Sequence, residues 1–255
     1  MARIYPPPPH FLEDRIEIYH GDALRLMRAM PGDSFDAIIT DPPYCMGATL
    51  AEKGRSTADK YLETRGSGAT LPNLDGDSLS QRAWTEMMTT MLDEARRLCK
   101  PGAVCVLFSD WRQLPSLSDA MQIAGWIWRG VLVWDKKTAR PQKGRFRQQA
   151  EFMAWGSHGP LPVDRPVPVL PGVFGYTNVR PAERMHQTQK PLELMRDLVK
   201  ICMPGGAILD PFAGAGTTLL AAAQEGFKAV GIERSAAIAR TAAERLGVPL
   251  WEGIR

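Results

Sequence analysis

Residues 207–233 read AILDPFAGAGTTLLAAAQEGFKAVGIE. Ala207 to Leu209 is a short apolar run, and Asp210 to Gly216 is a glycine-rich turn. Thr217 to Gln224 is a helical stretch stopped by Gly226, and Phe227 to Ile232 is apolar again. Strand, turn, helix and strand in that order make a βαβ unit.

Working outward, the same alternation recurs. Arg15 to Tyr19, Phe35 to Thr40, Ala103 to Phe108, Ile127 to Trp134 and Ala150 to Trp155 are predicted strands. Several are continuously apolar, as strands covered on both faces are. Predicted helices lie at 22–30, 80–99, 117–124 and 191–203. Lys100-Pro101-Gly102 is expected to end the second, and Gly205-Gly206 follows the last. Alternation of this kind argues for an α/β fold, a doubly wound and mostly parallel sheet. Two stretches break it. Residues 45–80 are rich in Gly, Ser, Thr and charge, and residues 156–182 hold many Pro and Gly. Both are expected to be irregular insertions into one domain spanning 15–255, and Pro6 to Pro9 to form an N-terminal arm over 1–14.

The glycine turn carries chemistry. Gly214 and Gly216 let backbone approach a ligand, and the following helix offers unpaired N–H groups. Glu233, 19 residues after Gly214, is placed to accept from both ribose hydroxyls. A dinucleotide fingerprint would need a third glycine, and Leu219 stands there. Asp210 puts a carboxylate beside the ligand, which suits an ammonium group and opposes a pyrophosphate. S-adenosylmethionine (SAM), with amino, sulfonium and ribose groups, therefore fits better than NAD.

Asp41-Pro42-Pro43-Tyr44 ends the Phe35–Thr40 run. Two prolines fix φ and remove two donors, which leaves carbonyls to accept from a ligand. Asp41 adds a carboxylate and Tyr44 a flat ring. Acceptors beside a stacking plane match a flat molecule with an exocyclic –NH2. Hydrogen bonds from that amine to Asp41 and the Pro42 carbonyl would localise its lone pair for attack on a methyl group. Asp41 is also placed to take the surplus proton.

With both motifs the chain resembles the DNA amino-methyltransferases that make N6-methyladenine or N4-methylcytosine, specifically the beta group, in which the catalytic tetrapeptide precedes the SAM turn. The resemblance covers nearly the whole chain. It implies a Rossmann-like SAM-dependent methyltransferase fold in permuted motif order. It assigns Asp41, Pro42, Pro43 and Tyr44 to catalysis. It assigns Asp210, Phe212, Ala213, Gly214, Gly216, Thr217, Thr218 and Glu233 to SAM, with Asp22 of His20-Gly21-Asp22 approaching the cofactor's adenine. His186-Gln187-Thr188-Gln189-Lys190-Pro191 resembles the family's His-Pro-Thr-Gln-Lys-Pro element, with Gln187 replacing a proline. There Lys190 is expected near the SAM carboxylate.

Residues 136–147, KKTARPQKGRFR, hold six Lys or Arg and no acid. The whole chain is only +3, so the remainder is net acidic. Lys136, Lys137, Arg140, Lys143, Arg145 and Arg147 are expected to track DNA phosphates, Arg145 and Arg147 bidentately. Residues 156–182 are the candidate target-recognition region. The target amine is paired and stacked in a duplex, so the base must flip out.

Composition excludes other classes. At 255 residues, 44% apolar and 23% charged, the chain suits a globular domain and not a disordered or fibrous one. Four cysteines show no CxxC spacing and read as buried thiols in a reducing compartment. Met1 to Phe11 has no apolar segment of a signal peptide, and no run suits a membrane span, so a cytoplasmic, nucleoid-associated protein is expected. The four histidines lack metal-ligand spacing, and no metal is expected. Trp84, Trp126, Trp128 and Trp134 fall in periodic segments and are expected in the core.

The expected activity is methylation of adenine N6 in double-stranded DNA, because Asp leads the tetrapeptide. Cytosine N4 of DNA, an RNA base or a protein amide are the alternatives. A homodimer and a cognate restriction endonuclease of a restriction-modification system are both compatible with this reading.

Overall fold

The computed structural model describes residues 15–44, 79–139, 141–179 and 189–253. The Pro-rich arm, nearly all of the 45–80 stretch, Cys45, Arg140 and the first three residues of the 186–191 element lie outside the described residues. Among the described residues, nine strands form one sheet: β1 (Ile16–His20), β2 (Phe35–Thr40), β3 (Cys99–Ser109), β4 (Ile127–Asp135), β5 (Ala150–Ser157), β6 (Val173–Gly175), β7 (Ala207–Asp210), β8 (Lys228–Glu233) and β9 (Leu250–Glu252). Their order is β6-β4-β5-β3-β2-β7-β8-β1-β9. Every neighbour is parallel except at β5, which runs against β3 and β4. The helices among the described residues are α1 (Ala23–Ala29), α2 (Gln81–Leu98), α3 (Leu114–Ile123), α4 (Leu192–Val199), α5 (Thr217–Gln224) and α6 (Ala236–Leu246).

The apolar strands divide by parity, because successive side chains point to opposite faces. Ile18, Ala37, Ile39, Val104, Val106, Phe108 and Ile208 meet Leu194, Met195 and Leu198 of α4, Leu219 of α5 and Leu246 of α6. Tyr19, Ile38, Cys105, Leu107, Leu209 and Ile232 meet Met27 of α1, Trp84, Met88 and Leu92 of α2, and Leu117 of α3. So α1–α3 cover one face and α4–α6 the other. Burying a Leu or Ile side chain contributes about 1.5–3 kcal/mol, and both faces of the central strands supply that.

The crossovers diverge from the β2–β7 pair, where Ala37 aligns with Ile208 and Ile38 with Leu209. After β2 the chain crosses to β3 on the α2 face; after β7 it crosses to β8 on the α5 face. This reversal opens a crevice at the strand C-termini, where ligands of such sheets bind.

Several boundaries differ from expectation. The second helix ends at Leu98, before Lys100-Pro101-Gly102, but β3 starts at Cys99 and not at Ala103, and the Gly102 amide donates to the His158 carbonyl at 2.7 Å. Pro101 is tolerated because it is exposed at the strand's outer end. The predicted 191–203 helix stops at Val199, followed by turns through Cys202. The 156–182 stretch is not wholly irregular, since Val173–Gly175 adds an edge strand parallel to β4. Helix α6 and strand β9 had no sequence expectation. Trp84, Trp126 and Trp134 are buried, but Trp128 on β4 is 42% exposed. Cys99, Cys105 and Cys202 are buried free thiols. Among the described residues, no helix is long and apolar enough to cross a membrane.

Candidate active site

A cavity of about 950 Å³ lies at the C-terminal ends of β2, β7 and β8. Its wall includes both sequence motifs: Asp41 to Tyr44 from one, and Asp210 to Ala215, Thr217, Thr218 and Glu233 from the other. Residues 170 positions apart are in direct contact, since the Thr40 hydroxyl donates to Asp210 Oδ1 at 2.6 Å.

The glycine turn is pinned at each step. The Phe212 amide donates to Asp210 Oδ1 at 3.1 Å, and the Gly214 amide to Glu233 Oε2 at 3.0 Å. The other Glu233 oxygen accepts from the Ser235 amide at 2.7 Å. Gly216 has φ 74° at the start of α5, and a Cβ there would lie 2.8 Å from Leu246 Cδ1. A Cβ on Gly214 (φ 51°) would meet nothing within 4 Å, because it would stand in the cavity. That open cradle is what a closely approaching ligand requires. Burial pushes the Asp210 carboxyl up to about 6 despite bonds from Thr218, Thr40 and the Phe212 amide. Burial also raises Glu233. Both acids therefore gain from a cation or hydroxyl donors placed beside them. Asp22 caps α1 through the Arg25 amide at 3.0 Å and stands on the cavity rim, while the neighbouring Gly21 amide donates to the Glu233 carbonyl. An amine, a ribose and an adenine fit these groups. Arg245 of α6, which no sequence signal marked, braces the turn through the Ala215 carbonyl and Thr217 Oγ1.

The Asp-Pro-Pro-Tyr end is clamped as firmly. Trp84 Nε1 donates to the Pro43 carbonyl at 2.6 Å, and Gln113 Nε2 to the Tyr44 carbonyl at 2.8 Å. The Tyr44 hydroxyl donates to Asp41 Oδ1 at 2.5 Å and lies 3.0 Å from Glu151 Oε1. Lys190 Nζ is 2.6 Å from Asp41 Oδ2 and 2.7 Å from Glu151 Oε1. It also lies over the Phe108 and Tyr44 rings, at 4.7 and 5.7 Å from their centroids. Burial raises the Asp41 carboxyl; Lys190 opposes this and Glu151 reinforces it. Burial would lower Lys190, but Asp41 and Glu151 outweigh it and hold its ammonium above the usual lysine range.

Glu151 escaped the sequence reading. It is the second residue of β5, and because β5 is antiparallel its start lies at the same sheet edge as the end of β3, with Phe152 opposite Ser109. The signal was a lone acid heading the apolar run Phe152 to Trp155. Trp111 and Arg112, on the rim after β3, were also missed. Trp111 is 60% exposed, and Arg112 is tied to Asp110 at 2.8 Å.

The basic track divides. Lys136 lines the cavity and pairs with Glu151 Oε2 at 2.6 Å, so its ammonium faces the pocket and not the loop. Lys137 pairs with Asp135 at 2.8 Å. Lys143, Arg145 and Arg147 are exposed on the β4–β5 loop, with Phe146 between the arginines 98% exposed.

A family model described as DNA methylase matches residues 35–167 and 164–244. The chain is 30% identical over 228 residues to YubD of Escherichia coli (strain K12), covering 89% of this chain and 88% of that one. It is 26% identical over 252 residues to the type II methyltransferase M.HinfI of Haemophilus influenzae, covering 90% and 67%. The crystal structure of an M1.HpyAVI–SAM complex superposes with a TM-score of 0.63 at 23% identity, over 91% of this chain and 98% of that one. PvuII DNA methyltransferase, cytosine-N4-specific, gives 0.67 at 17% identity, over 91% and 86%.

Proposed function

This chain belongs to the DNA methylase family of N6/N4 amino-methyltransferases, and we propose that it methylates the N6 amino group of an adenine flipped out of double-stranded DNA. SAM supplies the methyl group. The observation that carries the reading is the shared cavity: the Asp41–Tyr44 tetrapeptide and the Gly214–Glu233 turn open into one space at the switch point of the sheet.

Asp210 takes the cationic end of the cofactor, Glu233 its ribose and Asp22 the edge of its adenine. Phe212, Ala213, Gly214, Thr217 and Thr218 form the wall around it, and Gly216 turns the chain into the helix behind them. Tyr44 stacks on the target base, which returns about 1–3 kcal/mol of the cost of flipping. Asp41 and the Pro42 carbonyl accept from the two amine hydrogens and localise the nitrogen lone pair. As the new N–C bond forms, the S–CH3 bond of the sulfonium would break and leave a neutral thioether; the amine sheds one proton, and Asp41 holds that proton before it passes to water.

Asp at the head of the tetrapeptide supports adenine over cytosine. Nucleoside analysis of DNA methylated by the protein should give N6-methyladenine. A clean N4-methylcytosine peak would overturn the base assignment and leave the transfer mechanism standing.

Lys143, Arg145 and Arg147 are the phosphate contacts, supported by their exposure on a loop at the cavity edge, with Phe146 available to stack on a base. Replacing Arg145 and Arg147 together by Ala should flatten the slope of log affinity against log salt by roughly 1–2. Affinity should fall alike for every sequence, since phosphates carry no base identity. An unchanged slope would make the loop merely solvated. A changed sequence preference would make one arginine a base reader.

A further inference from the structure

We infer that Glu151 is a positioning residue for methyl transfer: it offers a second acceptor to both donors that occupy Asp41, and so frees Asp41 for the amine of the target base. The inference rests on the proposed role of Asp41.

In the free protein both Asp41 oxygens are taken, Oδ1 by the Tyr44 hydroxyl and Oδ2 by Lys190. A neutral base amine is a weaker donor than an ammonium, so it cannot win Asp41 if displacement leaves Lys190 buried and unpaired. Glu151 Oε1 removes that difficulty. It lies 2.7 Å from Lys190 Nζ and 3.0 Å from the Tyr44 hydroxyl, within hydrogen-bond reach of each. Both donors can shift onto it without leaving the cluster, so entry of the base exchanges partners and strands no charge. Glu151 is itself held in place through its other oxygen, which pairs with Lys136 at 2.6 Å.

The charges fit this role. Asp41 and Glu151 balance Lys190 and Lys136, and among the described residues Tyr44 and, from β7, Asp210 are the further titratable groups that act on them. Burial would raise Glu151, but Lys190 and Lys136 outweigh it and hold its carboxyl below the usual range. It therefore stays ionised wherever Asp41 does. Without its charge, Lys190 would lock onto Asp41 alone.

The test is Glu151→Gln, assayed for kcat across pH with DNA and SAM saturating. Losing a charge-assisted acceptor should lower kcat about ten- to a hundredfold. A merely structural role would stop there. The inference also requires the acid limb of the profile to move to lower pH, because removing a neighbouring negative charge lowers the Asp41 carboxyl. Glu151→Asp, which keeps the charge, should leave the limb in place. If Glu151→Gln fails to fold, Lys136→Gln at the cluster's outer end tests the same coupling with the opposite sign: losing a positive charge should move the limb to higher pH. Wild-type kcat in Glu151→Gln, or a limb unmoved in both variants, would overturn the inference. The parent reading fails separately, if wild-type protein transfers no methyl group to DNA or if Asp41→Asn keeps full turnover.

Discussion

Asp41→Asn is expected to lower kcat by about three orders of magnitude or more, the scale on which removing a preorganised electrostatic group acts. The substitution keeps the volume of the side chain and removes the charge that localises the amine lone pair and holds its proton. Lys190 keeps Glu151 as a partner at 2.7 Å, so the pocket should not lose its ion pairing. Cofactor affinity should stay close to wild type, because the groups at the glycine turn are Asp210 and Glu233 and not Asp41. Tyr44→Trp should retain part of the activity by keeping a stacking plane, and Tyr44→Ala should not. Single-turnover kinetics with a cofactor titration alongside separates the two effects. Full turnover in Asp41→Asn would end the proposed mechanism.

Asp210→Asn and Glu233→Gln are each expected to weaken SAM binding by about 1.5–3 kcal/mol, the worth of a hydrogen bond to a charged group. Both replacements can still accept from the Thr40 hydroxyl or the Gly214 amide, so the turn itself should survive. The pH dependence makes the Asp210 variant decisive. With its carboxyl raised to about 6 by burial, Asp210 is half protonated near that value in the free protein. A cation bound beside it favours the ionised form. SAM affinity should therefore be full above about pH 6 and fall as pH drops through that value, by up to about tenfold per unit. Asp210→Asn should lose that dependence while binding weakly throughout. Calorimetry across pH 5–8 (a range set by the value of about 6) reads both. Undiminished SAM affinity in both variants, or binding of NAD in place of SAM, would overturn the assignment.

The strand–turn–helix unit at 207–233 was legible from sequence because everything that makes it is local. Apolar runs, two glycines and a helix-forming stretch follow one another within 27 residues, and the observed elements start within a residue or two of expectation. The tetrapeptide was legible for the same reason, since two prolines dictate their own backbone. Residues 234–253 went unread although α6 carries a helical pattern, with Ile238, Ala239, Ala242, Ala243 and Leu246 on its buried face and a left-handed Gly247 at its end; β9 is only three residues long and gains its form by pairing with β1.

The amino-acid sequence by itself determined the alternation of strands and helices, both motifs, and through them the family. Only the tertiary structure decided which groups share the pocket. Placing β7 beside β2 brings Asp210 to Thr40, and reversing β5 brings Glu151 to Lys190 and Tyr44. It also turned Lys136 from the basic track into the pocket, because its partner is a carboxylate on the facing strand. These are long-range pairings: a run of like charges records its own composition, but the acid that claims one of its members is chosen by sheet register.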